Sequence, residues 1–233
     1  MPDIAHAVTY YVVFLLSTTI HEAAHAWAAK LGGDLTAYHG GQVSLDPRPH
    51  IRREPFGMVI LPLLSVALSG WPFGFASAPY DPKWAMRHPN RAAGMALAGP
   101  GANLLIVLIT LAAIRAGSAA GLLTAPESVR FGEVAVATAG GVWPGIAFVL
   151  GVFFSMNLLL AALNLIPLPP LDGSAAIPLL LPAGAAARYQ QLLFGNPALS
   201  LVGMVIAWQL FGTVFRPIFL LAVNLLHPGM SYG

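Results

Sequence analysis

The sequence predicts an all-α polytopic membrane protein: a bundle of about 4–5 transmembrane helices, one re-entrant or short apolar segment and a small membrane-associated β-hairpin. Three observations predict it. The chain is 57% hydrophobic and 9% charged, where a soluble domain is about 25% charged. Apolar runs of membrane length recur along it, and mean hydropathy is +0.74. Most of the few basic residues fall in the connections between those runs.

The elements follow in order. Residues 8–29 form the first apolar run, about 33 Å long at 1.5 Å per residue. It lacks a basic leader and carries polar residues, so it does not read as a cleavable signal peptide. Residues 35–46 contain a Gly40-Gly41 break between β-favouring flanks, which predicts a hairpin. Residues 56–75 are apolar but short, interrupted by Pro62 and Trp71-Pro72. Lys30, Arg48, Arg52 and Arg53 precede this run, and Lys83, Arg87 and Arg91 follow it. Basic loops favour the cytoplasm, and a segment whose two ends lie on one side does not cross. The reading is therefore re-entrant, with an ordinary short helix as the alternative.

Residues 91–115 and 141–166 are two further spans. Pro167, Pro169 and Pro170 end the second and impose extended backbone beyond it. A short amphipathic stretch around Ala183 to Phe194 precedes a last span at 199–226. That span holds Arg216-Pro217, for which snorkelling and an interior partner both stay open. The expected organisation over residues 1–233 is one compact integral membrane domain. A net charge of +2 gives no footprint for nucleic acid. With no Cys, neither disulfides nor thiolate ligands are available, so any metal must use His and carboxylate.

The most informative residues are His21-Glu22-Ala23-Ala24-His25, an HExxH motif inside the first span. Residues four apart share a helix face, so both imidazoles can reach one metal, with Glu22 beside them as a general base. Ionisable residues in apolar spans default to function. The motif points to a zinc hydrolase that cuts peptide bonds within the bilayer.

A hydrolytic zinc usually has three protein ligands and one open position. Asp172 is the best third candidate, because it is the only acidic residue after Glu133. Asp172-Gly173 alone reads as an ordinary turn. The prolines before it and the missing ligand favour the site. Topology agrees: if residues 56–75 do not cross, the end of the first span and Asp172 fall on the same, cytoplasmic, side. Asn164, late in its span, reads either as a donor to a substrate carbonyl or oxyanion or as an interhelical contact. Asn103, among small residues, reads first as a packing residue and more weakly as a substrate or oxyanion residue.

These residues resemble the site-2 protease family of intramembrane zinc metalloproteases, M50-like, in its compact form without a PDZ or CBS domain. The resemblance rests on His21-Glu22-Ala23-Ala24-His25, on Gly99-Pro100-Gly101-Ala102-Asn103, and on Asn164-Leu165-Ile166-Pro167-Leu168-Pro169-Pro170-Leu171-Asp172-Gly173. It covers about residues 8 to 182. It implies one Zn²⁺ per chain on His21, His25 and Asp172, with Glu22 as general base and Asn164 assisting the substrate. It implies a transmembrane protein substrate in a lipid bilayer, leaves room for a regulatory membrane partner, and fits a bacterial-type plasma membrane. Many members carry Phe-Gly-Trp-Ala-Lys-Pro where this chain has Phe73-Gly74-Phe75-Ala76-Ser77-Ala78, which bears on substrate choice. Two rival readings stay open: a non-proteolytic transporter or ion relay through His21, His25, Asp172 and Arg216, and a silent binder of transmembrane partners.

Overall fold

The computed structural model describes residues 4–233. Helix α1 spans Ile4–Gly32 and ends in a Schellman motif. Gly33 takes φ of +95°, Gly33 N–H donates to Lys30, and Asp34 N–H donates to Ala29. Glycine fits there because the left-handed conformation costs it no Cβ clash. Helix α6 spans Pro89–Ala119 and α7 spans Trp143–Asn164. Helix α10 spans Pro197–Leu226. All three begin with Pro in the first turn, where its missing N–H costs nothing.

Among the described residues these are the four helices long and apolar enough to cross a membrane. They fit the lower bound of the expected count, and a lipid bilayer is the environment such helices require. Helix α6 packs against both α1 and α7, and Val13 and Phe14 of α1 meet Val152 and Met156 of α7 directly. A second cluster joins α6, α7 and the end of α10 through Ile114, Phe154, Val223 and Leu226. Arg216 lies on the exposed side of α10, which answers the open question about that residue against an interior partner.

Between α1 and α6 come short helices α2 (Thr36–His39) and α3 (Pro47–Arg53). A π-helical turn at Phe56–Ile60 then leads into α4 (Leu61–Ser69). Together residues 56–69 rise only about 21 Å, short of a ~30 Å hydrocarbon core. Helix α5 (Pro82–Arg87) starts at Asp81-Pro82, as α3 starts at Asp46-Pro47. In each, the Asp side chain accepts the backbone N–H two residues on, and Pro fills the first helical position.

The Gly32 carbonyl accepts hydrogen bonds from Trp84 Nε1 (3.1 Å) and Arg91 Nη1 (3.2 Å). Helix α6 therefore begins where α1 ends, and the intervening segment leaves and re-enters one end of the bundle.

The expected hairpin at residues 35–46 is corrected. Asp34 accepts from the N–H and hydroxyl of Thr36 and so starts α2. Gly40 and Gln42 N–H groups return to Thr36 and Ala37. Gly41, at φ of +74°, turns the chain out of that helical turn rather than between two strands. Local side-chain capping outcompetes the β-favouring flanks. The two-stranded antiparallel sheet lies instead at β1 (Leu123–Thr124) and β2 (Val136–Ala137), between α6 and α7. After α7, helix α8 (Asp172–Ala176) and a 3₁₀ turn lead to the amphipathic stretch, which forms α9 (Ala183–Gly195).

Candidate metal centre

His21, Glu22 and His25 face the bundle interior from the C-terminal half of α1, each about 5–6% exposed. Asp172 opens α8 at the end of the proline-rich turn. One carboxylate oxygen, Oδ2, lies 3.1 Å from His21 Nε2 and 3.3 Å from His25 Nε2. The two Nε2 atoms are 2.9 Å apart.

The far side of each imidazole fixes its tautomer. His25 Nδ1 lies 2.8 Å from the Met95 carbonyl, which can only accept, so Nδ1 carries the proton. His21 Nδ1 lies 2.5 Å from Asn103 Oδ1. The orientation of that amide is set further on. Asn157 Nδ2 donates to the Phe153 carbonyl and to Ser17 Oγ, leaving Asn157 Oδ1 to accept from Asn103 Nδ2 at 2.8 Å. Asn103 Oδ1 is then the acceptor for a protonated His21 Nδ1. Both Nε2 atoms consequently turn lone pairs toward each other and toward a carboxylate. With both rings neutral, three acceptors converging this closely form a donor set that suits a metal cation.

Other details fit such a centre. A Cβ on Gly99 would overlap the Nε2 atoms of both histidines, so only glycine lets α6 approach them. Glu22 Oε2 is buried with no hydrogen-bond partner. His21, His25 and Asp172 each offer one ligand atom, all within 4.8 Å of one another.

The family model for peptidase family M50 matches residues 9–210. This chain belongs to peptidase family M50. The M50 chain is 29% identical over 230 residues to the candidate zinc metalloprotease YwhC of Bacillus subtilis (strain 168), covering 89% of itself and 92% of YwhC. It is 34% identical over 165 residues to the candidate zinc metalloprotease Rip2 of Mycobacterium tuberculosis (strain H37Rv), covering 70% of itself and 54% of Rip2. Rip2 of Mycolicibacterium smegmatis is 32% identical over 164 residues. The M50 chain thus spans about half the length of these Rip2 relatives. No solved structure matches it. Family membership makes the protein a metalloprotease of the membrane.

Sequence reasoning brings His21, Glu22, His25 and Asp172 together, and so does the fold of this M50 protease. It ranks Asn164 above Asn103 as a substrate residue and reads Asn103 first as a packing residue. Asn103 is fully buried, with Oδ1 beside His21 Nδ1 and Nδ2 donating to Asn157 Oδ1. Asn164 is half-buried, and its Nδ2 donates back to Leu160 of its own helix. Asn157, Ser17 and the Met95 carbonyl were missed. Asn157 had a sequence signal, an amide inside the most apolar span; a backbone carbonyl has none.

Proposed function

We propose that this M50 member is a zinc-dependent intramembrane endopeptidase that hydrolyses peptide bonds within or near transmembrane segments of membrane-protein substrates. The observation that carries the reading is the pair of lone-pair-bearing Nε2 atoms 2.9 Å apart beside the Asp172 carboxylate. His21, His25 and Asp172 would hold one zinc. Two nitrogens and an oxygen are a donor set that zinc accepts, leaving a fourth position open. Zinc, when bound, supplies Lewis acidity that makes water a nucleophile near neutral pH and polarises a carbonyl.

The chain's own groups do the rest. Asn103 and the Met95 carbonyl hold the two rings with Nε2 unprotonated. Glu22 takes a proton from the attacking water and delivers it to the leaving amine nitrogen. Asn164, on release from Leu160, is the candidate donor to the substrate carbonyl. The apolar walls of α1, α6 and α7 limit bulk water around the reacting groups. A substrate helix must unwind locally, because its carbonyls are otherwise bonded within the helix.

We place the site toward the cytoplasm. The support is the basic loops at the end of α1 and the start of α6, under the positive-inside rule. The test is zinc per chain in detergent-purified protein, with cleavage of a labelled transmembrane peptide beside it. The wild type is expected to hold about one zinc, Asp172→Ala to lose it, and Glu22→Gln to keep it without cleaving. Cleavage by Glu22→Gln would remove Glu22 as the base; full zinc in Asp172→Ala would remove Asp172 from the site.

A further inference from the structure

Hydroxyls inside the helices of this protein mostly return to their own backbone. Thr9, Thr19, Thr110 and Ser118 each donate to the carbonyl four residues earlier, at 2.8 to 3.0 Å. That is the ordinary resting place of a helical hydroxyl. Ser17 instead receives the Asn157 amide. Thr18 does neither. Its Oγ1 has no hydrogen-bond partner, although the residue is only 6% exposed.

One turn further on, Glu22 Oε2 is also buried and unpartnered, in a residue 5% exposed. Thr18, His21, Glu22 and His25 are spaced i, i+3, i+4 and i+7, so they line one stripe of α1. A hydroxyl donor and a carboxylate acceptor therefore sit on the same face, one turn apart, both sealed from bulk solvent and without a partner among the protein's own groups. Buried polar atoms of this kind are usually satisfied by ordered water. The spacing suits one. Residues at i and i+4 have Cβ atoms about 5–6 Å apart. A water accepting one hydrogen bond and donating another, at its near-tetrahedral angle, joins partners about 4.5 Å apart, a gap that side chains rooted at such Cβ atoms can set.

We propose that Thr18 is a positioning residue for the reaction: its hydroxyl and Glu22 Oε2 hold a buried structural water that fixes the carboxylate. The Thr18 hydroxyl donates to the water, and the water donates to Oε2. Oε1 is then left for the proton transfer with the attacking water. The carboxylate of a long, rotatable side chain is thereby held at one orientation from the side away from the chemistry. This inference rests on the reading of Glu22 as general base, and it adds a residue outside the HExxH motif to that machinery.

The test compares Thr18→Val, which keeps the shape and removes the hydroxyl, with Thr18→Ser, which restores it. Turnover of a quenched-fluorescent Leu/Ala transmembrane peptide carrying a central Asn-Pro is one readout. The second needs neither zinc nor substrate: the infrared carboxyl band of Glu22 in the metal-free protein, located by its loss in Glu22→Gln. Thr18→Val is expected to bind zinc as the wild type does, keep KM, and lose roughly 10- to 100-fold in kcat. The Glu22 band shifts in Thr18→Val and returns in Thr18→Ser. An unmoved band, or wild-type kcat in Thr18→Val beside an inactive Glu22→Gln, overturns the proposal. Cleavage by Glu22→Gln instead overturns the base reading, and the band alone then decides the water bridge. If Thr18→Val does not fold, Thr18→Ala gives the same comparison.

Discussion

Asn103 Oδ1 sits 2.5 Å from His21 Nδ1, across 82 residues of sequence, and decides which nitrogen of that ring faces the centre. The hydrogen-bond direction is inherited from the Phe153 carbonyl through Asn157 and Asn103, so α7 sets the tautomer of a residue on α1. Replacing Asn103 with Leu keeps the bulk and removes the acceptor. The expected result is a zinc affinity weaker by roughly 10- to 100-fold, measured by competition with a chelator, with little change in helix content by circular dichroism. An unchanged affinity would mean that His21 is oriented by packing alone.

Gly99 is the complementary case, a residue whose contribution is to be absent. A Cβ there would meet His25 Nε2 and His21 Nε2. These are atoms held by α1 and by hydrogen bonds on their far sides, so they cannot retreat without breaking those bonds. Gly99→Ala is expected to abolish zinc binding and cleavage together. The protein should still purify as a folded monodisperse species, because alanine suits a helix interior. Zinc stoichiometry and size-exclusion profile check the two halves.

Most of this centre was legible in the sequence because its spacing is local. HExxH needs only helical periodicity, and the prolines before Asp172 mark an irregular turn at the end of an apolar span. What stayed hidden depends on three-dimensional choice. The Gly40-Gly41 pair served as well for a hairpin as for a capped helical turn, and Asp34 decided between them. Asn103 reads from sequence as a packing residue, and its hydrogen bond to His21, 82 residues away, appears only in three dimensions. The sheet at β1 and β2 has two residues per strand, too few to leave an alternation.

Asp34 is a tether whose strength should depend on pH. Oδ1 accepts from Thr36 and Oδ2 accepts from Asp81 N–H at 2.8 Å, joining the end of α1 to the start of α5. Burial alone would raise this carboxyl, and those hydrogen bonds outweigh it, holding it below the ordinary 3.8. A folded-state pKa below the unfolded one adds stability that is present above the unfolded value and lost as pH falls through the folded one. In zinc-free protein, the Tm advantage of wild type over Asp34→Asn is therefore expected to hold at pH 7 and to fade below about pH 4. A difference that stays constant down to pH 3 would show that the ionised form is not what matters.

The last prediction concerns the side on which each loop lies, and it follows from hydrogen bonds rather than from charge. Trp84 and Arg91 both reach the Gly32 carbonyl, so residues 33–88 must begin and end at one face of the bundle. Asp172 meets His21 and His25, so the turn after α7 belongs to that face as well. With α6 and α7 each crossing once, the loop between them lies on the other side. The chain has no native Cys, which makes single-cysteine labelling clean. Exposed Arg52, Lys83, Arg188 and Glu127 offer one site in each connection. Cysteines at 52, 83 and 188 are expected to react as one group with an impermeant maleimide. A cysteine at 127 should react only from the opposite face. If 52 and 83 were to split, residues 56–69 would have to cross, which about 21 Å of helix cannot do without thinning the bilayer. The metal centre would then lose Asp172 to the wrong side. Labelling of 52, 83 and 188 from the cytoplasmic side of inverted vesicles would also orient the whole site. That would mean attacking water and zinc arrive from the cytoplasm while the substrate enters from the bilayer.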